Sequence, residues 1–159
     1  MAIVFDELLQ TANQKWGELT QGEQAWIRVG GGVSGEAAGA DEVIEAFRAA
    51  VATAGVSATV TRVGMLGLCY AEPLVDVMLP GGDRIFYSNV SPKQASRIVN
   101  EHVVNSVPPI DLALAYEPSD KSIRSLDIPL LSELPTMRRQ VRIALRNAGN
   151  IDPLDIFQY

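Results

Sequence analysis

Residues 64–99 read GMLGLCYAEPLVDVMLPGGDRIFYSNVSPKQASRIV. Pro73 opens an apolar run, PLVDVML, and Pro80-Gly81-Gly82-Asp83 stops it. A second β-rich run, RIFYSNV, follows at once. Two such runs around a Pro-Gly-Gly-Asp turn predict a hairpin. Ser91-Pro92 then sets a capping residue before a proline at the first helical position, and Ala95, Ile98, Val99, His102 and Val103 fall on one face of the helix that follows. The same stretch holds the chain's single cysteine, Cys69, in a glycine-rich turn four residues after Met65.

Upstream of this hairpin, VSATVTRVG alternates apolar and polar residues and predicts a strand. Before it, GADEVIEAFRAAVATAG keeps Val43, Ile44, Phe47, Ala50 and Val51 at helical spacing, with Asp41 and Glu42 in the first turn and Gly55 as the stop. AWIRVGGG predicts a strand at about 25–30. The first residues place apolar side chains at 4, 5, 8, 9, 12 and 16, an amphipathic helix that ends near Gly22. The order β-α-β-β-β-α behind a leading helix predicts an α/β fold, a mixed sheet with helices packed on it.

Downstream the pattern changes. Residues 107–135 hold five of the nine prolines and little periodicity, so they read as an extended arm or linker. TMRRQVRIALRNAG reads as a closing helix on which Arg138, Arg142 and Arg146 repeat every four residues as one basic stripe, either a solvated face or a docking face for an acidic partner or another part of an assembly. The expected organisation is therefore an N-terminal helix at 1–22, a sheet domain at 23–106, an arm at 107–135 and a C-terminal helical segment at 136–159.

A chain of 159 residues suits one domain with an extension, and 47% hydrophobic with 20% charged residues is ordinary for a globular protein. The net charge of −6 argues against nucleic acid as the main partner, because phosphate binding needs a basic footprint. Residues 1–133 hold nine basic against seventeen acidic side chains, whereas residues 134–159 hold four arginines against two acids. The last segment is thus a different kind of surface. One cysteine forms no internal disulfide and does not by itself hold a metal. No signal peptide or membrane-spanning run is visible, so the expected location is cytoplasmic.

Gly30, Gly32 and Gly35 match the glycine spacing of a dinucleotide-binding turn. The strand after the helix ends in no acid that would hold a ribose, so a tight strand-to-helix turn is the expectation. His102 is expected to be packed rather than catalytic. No Ser-His-Asp or Cys-His pairing is visible, and the acids form no ligand-spaced cluster.

Taken together, RVGGGVSGEAAGADEVIEAF, residues 64–99 and MRRQVRIALRNAGNIDPLDI resemble one family. It is the flavin- and NADH-binding subunit of complex I and its relatives, the NAD-reducing and electron-bifurcating hydrogenases and NAD-dependent formate dehydrogenases. Residues 25–105 resemble its N-terminal thioredoxin-like [2Fe-2S] ferredoxin domain. Residues 137–159 resemble the opening of its flavoprotein domain, which reads much like R-x-x-L-R-N-C-G-x-I-D-P. The resemblance implies a thioredoxin-like fold, with Pro73 standing where that fold has its cis-proline. It also implies partners in a redox complex, flavoprotein and iron–sulfur subunits, with a homo-oligomer left open.

The departures from that family carry equal weight. Its cluster cysteines, in a pattern like C-x4-C and later C-x3-C, fall here on Ser34, Gly39, Met65 and Cys69. A [2Fe-2S] cluster needs four strong ligands, normally thiolates. Ala148 replaces a further family cysteine. The expectation is a ferredoxin-like structural module with a degenerate site and no cofactor. Two alternatives stay open: an electron carrier whose [2Fe-2S] ligands are shared with a partner, and an N-terminal fragment of an NADH-oxidising subunit.

Overall fold

The computed structural model describes residues 2–120, 122 and 126–158; Met1, Lys121, residues 123–125 and Tyr159 lie outside the described residues, and with them part of the expected arm. Five strands form one mixed sheet in the order β2-β1-β3-β4-β5. β1 (Ala25–Gly30) runs parallel to β2 (Ala58–Val63), and the helix α3 (Ala40–Ala54) makes the crossover between them. β3 (Val75–Met78) lies antiparallel to β1 on its other side. β4 (Arg84–Tyr87) completes the expected hairpin, with Val77 opposite Ile85. The helix α1 (Ala2–Gln21) precedes the sheet, and α2 (Val33–Ala37) is a single turn between β1 and α3.

α3 ends as its sequence dictates: Gly55 sits at φ +65° and its N–H bonds back to Val51 and Ala52, a left-handed cap that glycine adopts without strain. At the start of α4 (Pro92–Ile98), Gln94 Oε1 accepts hydrogen bonds from both Ser91 N and Ser91 Oγ at 2.8 Å. Six further residues, Val99–Val104, continue α4 as a π-helix that carries His102 inward.

The register sorts each strand into two faces. One presents Ile27, Val29, Val75, Val77, Ile85 and Tyr87 to Val43, Phe47, Ile98 and Val99, which form the main core beneath α3 and α4. The other presents Trp26, Arg28, Asp76, Met78, Arg84 and Phe86. Half of that face is a second core, in which Phe86 and Ala115 meet Leu66, Leu68, Leu131 and Leu134.

Two expectations need correction. The fifth strand, β5 (Ala113–Glu117), comes from the segment read as an extended arm or linker, and pairs antiparallel with β4 across a bulge at Phe86/Tyr87. Only one of its five residues, the terminal Glu117, carries a charge, and the other four, Ala-Leu-Ala-Tyr, are all apolar or aromatic, so alternation is faint. The C-terminal helix is absent: residues 135–139 and 144–150 are successive turns. Val141, Ile143 and Leu145 there are 87%, 80% and 67% exposed. A short helix with no packed face is marginal in water. Instead Gly149 (φ +80°) turns the chain against Leu66, where an added Cβ would lie 2.5 Å from Leu66 Cγ.

α1 forms where its spacing predicts, but Val4, Phe5, Leu8 and Leu9 remain 44–67% exposed. Its C-terminal half is held by Trp16, edge-on to Trp26 with ring centroids 5.9 Å apart, and by Lys15 over the Phe157 ring at 3.8 Å. No helix among the described residues is long and apolar enough to cross a membrane.

Candidate functional site

The loop after β1 and the loop after β2 meet at one end of the sheet. Glycines permit the approach. A Cβ at Gly35 would lie 2.2 Å from Gly30 O, and one at Gly32 would lie 3.0 Å from Met65 Cβ. The Gly30-Gly32-Gly35 pattern thus makes a tight strand-to-helix turn, as its missing acid suggested. Arg62 ties that turn to β2 through Gly31 O at 3.3 Å, Glu36 Oε1 at 2.9 Å and the Asp41 carboxylate.

Three of the four residues aligned with cluster ligands come together here. Ser34 Oγ donates to Met65 Sδ at 2.8 Å, and Cys69 Sγ lies 3.6 Å from the same sulfur. The thioether stands between the hydroxyl and the thiol. Gly39 is not drawn in: it holds the turn before α3 at φ +94°, and a Cβ there would meet only Glu42 Oε2, at 3.4 Å. Cys69 is exposed at the start of a single 3-10 turn, Cys69–Ala71.

These residues do not fit a [2Fe-2S] cluster by themselves. They supply one thiol, one neutral thioether and one hydroxyl, and the fourth position is a glycine. Met65 also occupies the space between the two remaining donors, as a flexible apolar side chain can. Among the described residues no three His, Cys, Asp or Glu side chains are grouped to hold a metal.

Glu72 and Pro73 follow the site, and the peptide bond between them is cis. The position expected from the thioredoxin-like resemblance is therefore correct. Glu72 is 6% exposed; its Oε2 accepts from Leu74 N at 2.9 Å, while Oε1 is buried with no hydrogen-bond partner among the described residues. Burial raises its pKa above the ordinary carboxylate range, opposed by the Leu74 N–H. The sequence reading passed over Glu72, although an acid directly ahead of a proline and an apolar strand was a usable signal.

His102 is packed, as expected. It is 3% exposed, its Nδ1 is 2.8 Å from Tyr87 Oη, and burial pushes its pKa down to about 4. The three arginines read as a docking stripe do not share a helix face. Arg138 and Arg146 are exposed, and Arg142 is half-buried, donating to Ala148 O at 3.1 Å. The segment that carries them lies beside the site: residues 140–145 and Met65, Leu66 and Gly67 line a common hollow.

No protein-family model matches the chain. A curated protein, NADP-reducing hydrogenase subunit HndB of Solidesulfovibrio fructosivorans, is 33% identical over 73 residues, which are 45% of this chain and 58% of that protein. The chain thus spans less than two thirds of that relative's length. Among solved structures, a thioredoxin-like [2Fe-2S] ferredoxin from Aquifex aeolicus superposes with a TM-score of 0.52 at 23% identity, covering 63% of this chain and 99% of that one. A second structure of the wild-type ferredoxin gives 0.50 at 23% identity, over 58% and 98%. The fold is that of the thioredoxin-like [2Fe-2S] ferredoxins, as the sequence resemblance implied, and the shared sequence is with a subunit of a nicotinamide-linked oxidoreductase.

Proposed function

We propose that this chain is a cluster-free, ferredoxin-like assembly module of a multisubunit NAD(P)-linked oxidoreductase, of hydrogenase, formate dehydrogenase or NADH dehydrogenase type. The observation that carries the reading is Met65 Sδ, seated 2.8 Å from Ser34 Oγ and 3.6 Å from Cys69 Sγ in a ferredoxin fold. A side chain that fills the ligand position with a poor iron donor supports a structural use of the fold. The similarity to a hydrogenase subunit supports a redox complex as its setting. Exposed Val141, Ile143 and Leu145, interleaved with Arg138, Arg142 and Arg146, support the C-terminal segment as the docking surface.

The test is iron and acid-labile sulfide analysis with a visible spectrum on anaerobically purified chain, followed by affinity capture of its complex. The expected result is no stoichiometric iron on the isolated chain and capture of flavin- and iron–sulfur-containing subunits. Ile143→Asp with Arg146→Glu is expected to abolish capture while the fold survives. Deleting 134–159 is a poorer test, because it removes buried Leu134 and the Gly149 O and Asn150 Oδ1 acceptors of Arg84. About two irons per chain would overturn the reading. The exposure of Cys69 favours one second reading, a [2Fe-2S] cluster completed by a partner's thiols. In that case the captured complex would lose iron when Cys69→Ser is introduced.

A further inference from the structure

The second face of the sheet carries a feature unrelated to the cluster-type loops. Between α1, the sheet and the C-terminal turns lies a cavity of about 600 Å³. Its walls are mixed, with Leu9, Trp16, Trp26, Met78 and Phe157 set among polar side chains such as Asn13, Asn147 and Gln158, and Arg28 and Arg84 also line it.

The two arginines are not equivalent. Arg84 is fully engaged: Nε and Nη2 grip Asp76 at 2.8 Å each, Nη1 reaches Glu117 Oε2 at 3.1 Å and Asn150 Oδ1 at 2.8 Å, and Nη2 also donates to Gly149 O at 2.6 Å. Arg28 holds Asp76 through Nε alone, at 2.6 Å from an oxygen that Arg84 already uses. It is 4% exposed, stacks over the Trp26 ring at 4.1 Å, and its Nη2 is buried with no hydrogen-bond partner among the described residues. Two buried guanidiniums thus share one buried carboxylate, and the other acid, Glu117, has a side chain 45% exposed at the rim. An unsatisfied N–H on a buried cation is costly unless a partner arrives.

We infer that this cavity binds a small organic monocarboxylate with an aromatic or otherwise apolar body, its carboxylate drawn to the incompletely paired guanidinium of Arg28 and its body between Trp16, Trp26 and Phe157. A planar two-oxygen group matches a guanidinium edge. A single incompletely paired cation, with Asp76 and Glu117 close by, suits a monoanion better than a phosphate dianion. The inference is independent of the assembly role and of the cluster-type site.

The chain's two tryptophans both line this cavity, so its intrinsic fluorescence reports occupancy. The probes are benzoate, the neutral benzamide and phenyl phosphate, titrated into the full-length chain and checked by calorimetry. Benzoate is expected to change the fluorescence saturably, with at least tenfold weaker binding of benzamide and phenyl phosphate. Arg28→Met is expected to lose benzoate binding at least tenfold while keeping its circular dichroism, because Asp76 retains its two-pronged bond to Arg84. Should Arg28→Met not fold, Ala12→Phe decides: it fills the cavity from α1 without touching an ion pair, and is expected to weaken benzoate at least tenfold. No saturable benzoate binding at 10 mM, tighter phenyl phosphate than benzoate, or unchanged binding in a folded Arg28→Met or Ala12→Phe protein would overturn the inference.

Discussion

On the helix-covered face of the sheet, Ile27, Val29, Val75, Val77, Ile85 and Tyr87 are at most 2% exposed and belong to one apolar cluster, with His102 bonded to Tyr87 Oη. On the opposite face the same strands set Arg28 and Arg84 about Asp76, and then leave a cavity above them. The strand side chains of both faces are mostly buried. The first is stabilised by area removed from water and tolerates no hole. The second removes charges from water and must hold each in a partner's grip. What each face needs is therefore different, and so is the way each fails.

The largest expected effect is on the first face. Phe47→Ala deletes a ring that is 0% exposed at the centre of α3, and should cost about 4 kcal/mol by chemical denaturation. Next comes Arg84→Met. It leaves Asp76 with Arg28 alone and strips Gly149 O and Asn150 Oδ1 of their donor, at a cost of about 3 kcal/mol. Arg28→Met should be neutral or slightly stabilising, since the guanidinium it removes is only partly paired. Equal losses from the two arginine variants would erase the distinction between them.

The first face was legible because its signals are local: apolar runs bounded by turn residues, helical spacing and helix caps. Val43, Ile44 and Phe47 announce α3, and Pro-Gly-Gly-Asp announces the hairpin. The second face was not read, although Arg28 inside AWIRVG and Asp76 inside PLVDVM were charges placed among strand formers. Their meaning depends on strand order, because Arg28 meets Asp76 only when β3 lies beside β1 rather than beside β2. β5 was missed for a related reason: Ala113–Glu117 gains its burial from Leu131 and Leu134, which lie beyond it in sequence. The helix expected under the C-terminal arginines does not form, because helical spacing there has nothing to pack on. For the cluster-type site, the family pattern grouped Ser34, Gly39, Met65 and Cys69; the structure brings Ser34, Met65 and Cys69 together and leaves Gly39 apart, in the turn before α3.

His102 gives the first face a pH limit. The unfolded chain takes up a proton near pH 6.5, whereas burial delays uptake in the folded protein to about pH 4. The unfolded state therefore binds more protons between these values, and stability falls as the pH drops from 6.5 to 4. The full loss is about 3 kcal/mol. His102→Phe should flatten that part of the stability–pH curve, at the expense of the hydrogen bond to Tyr87 Oη. A variant that keeps the same acid slope would place the titrating group elsewhere.

Glu72 works in the opposite sense. Its folded pKa lies above the ordinary carboxylate value, so the native state holds a proton that the unfolded chain gives up first. Stability therefore declines as the pH rises from about 4.5 through the raised value, and does not recover above it. Glu72→Gln keeps an oxygen for the Leu74 N–H and removes the charge. Its amide nitrogen must then find room where Oε1 now has no partner among the described residues, against a turn in which a Cβ on Gly30 would lie 2.9 Å from Oε2. If that room exists, the variant should be more stable than the parent at pH 8 and indistinguishable from it at pH 4. Urea denaturation at both pH values measures the difference. A penalty that is the same at both would mean that packing at the cis-Pro73 junction, rather than charge, sets the cost of this residue.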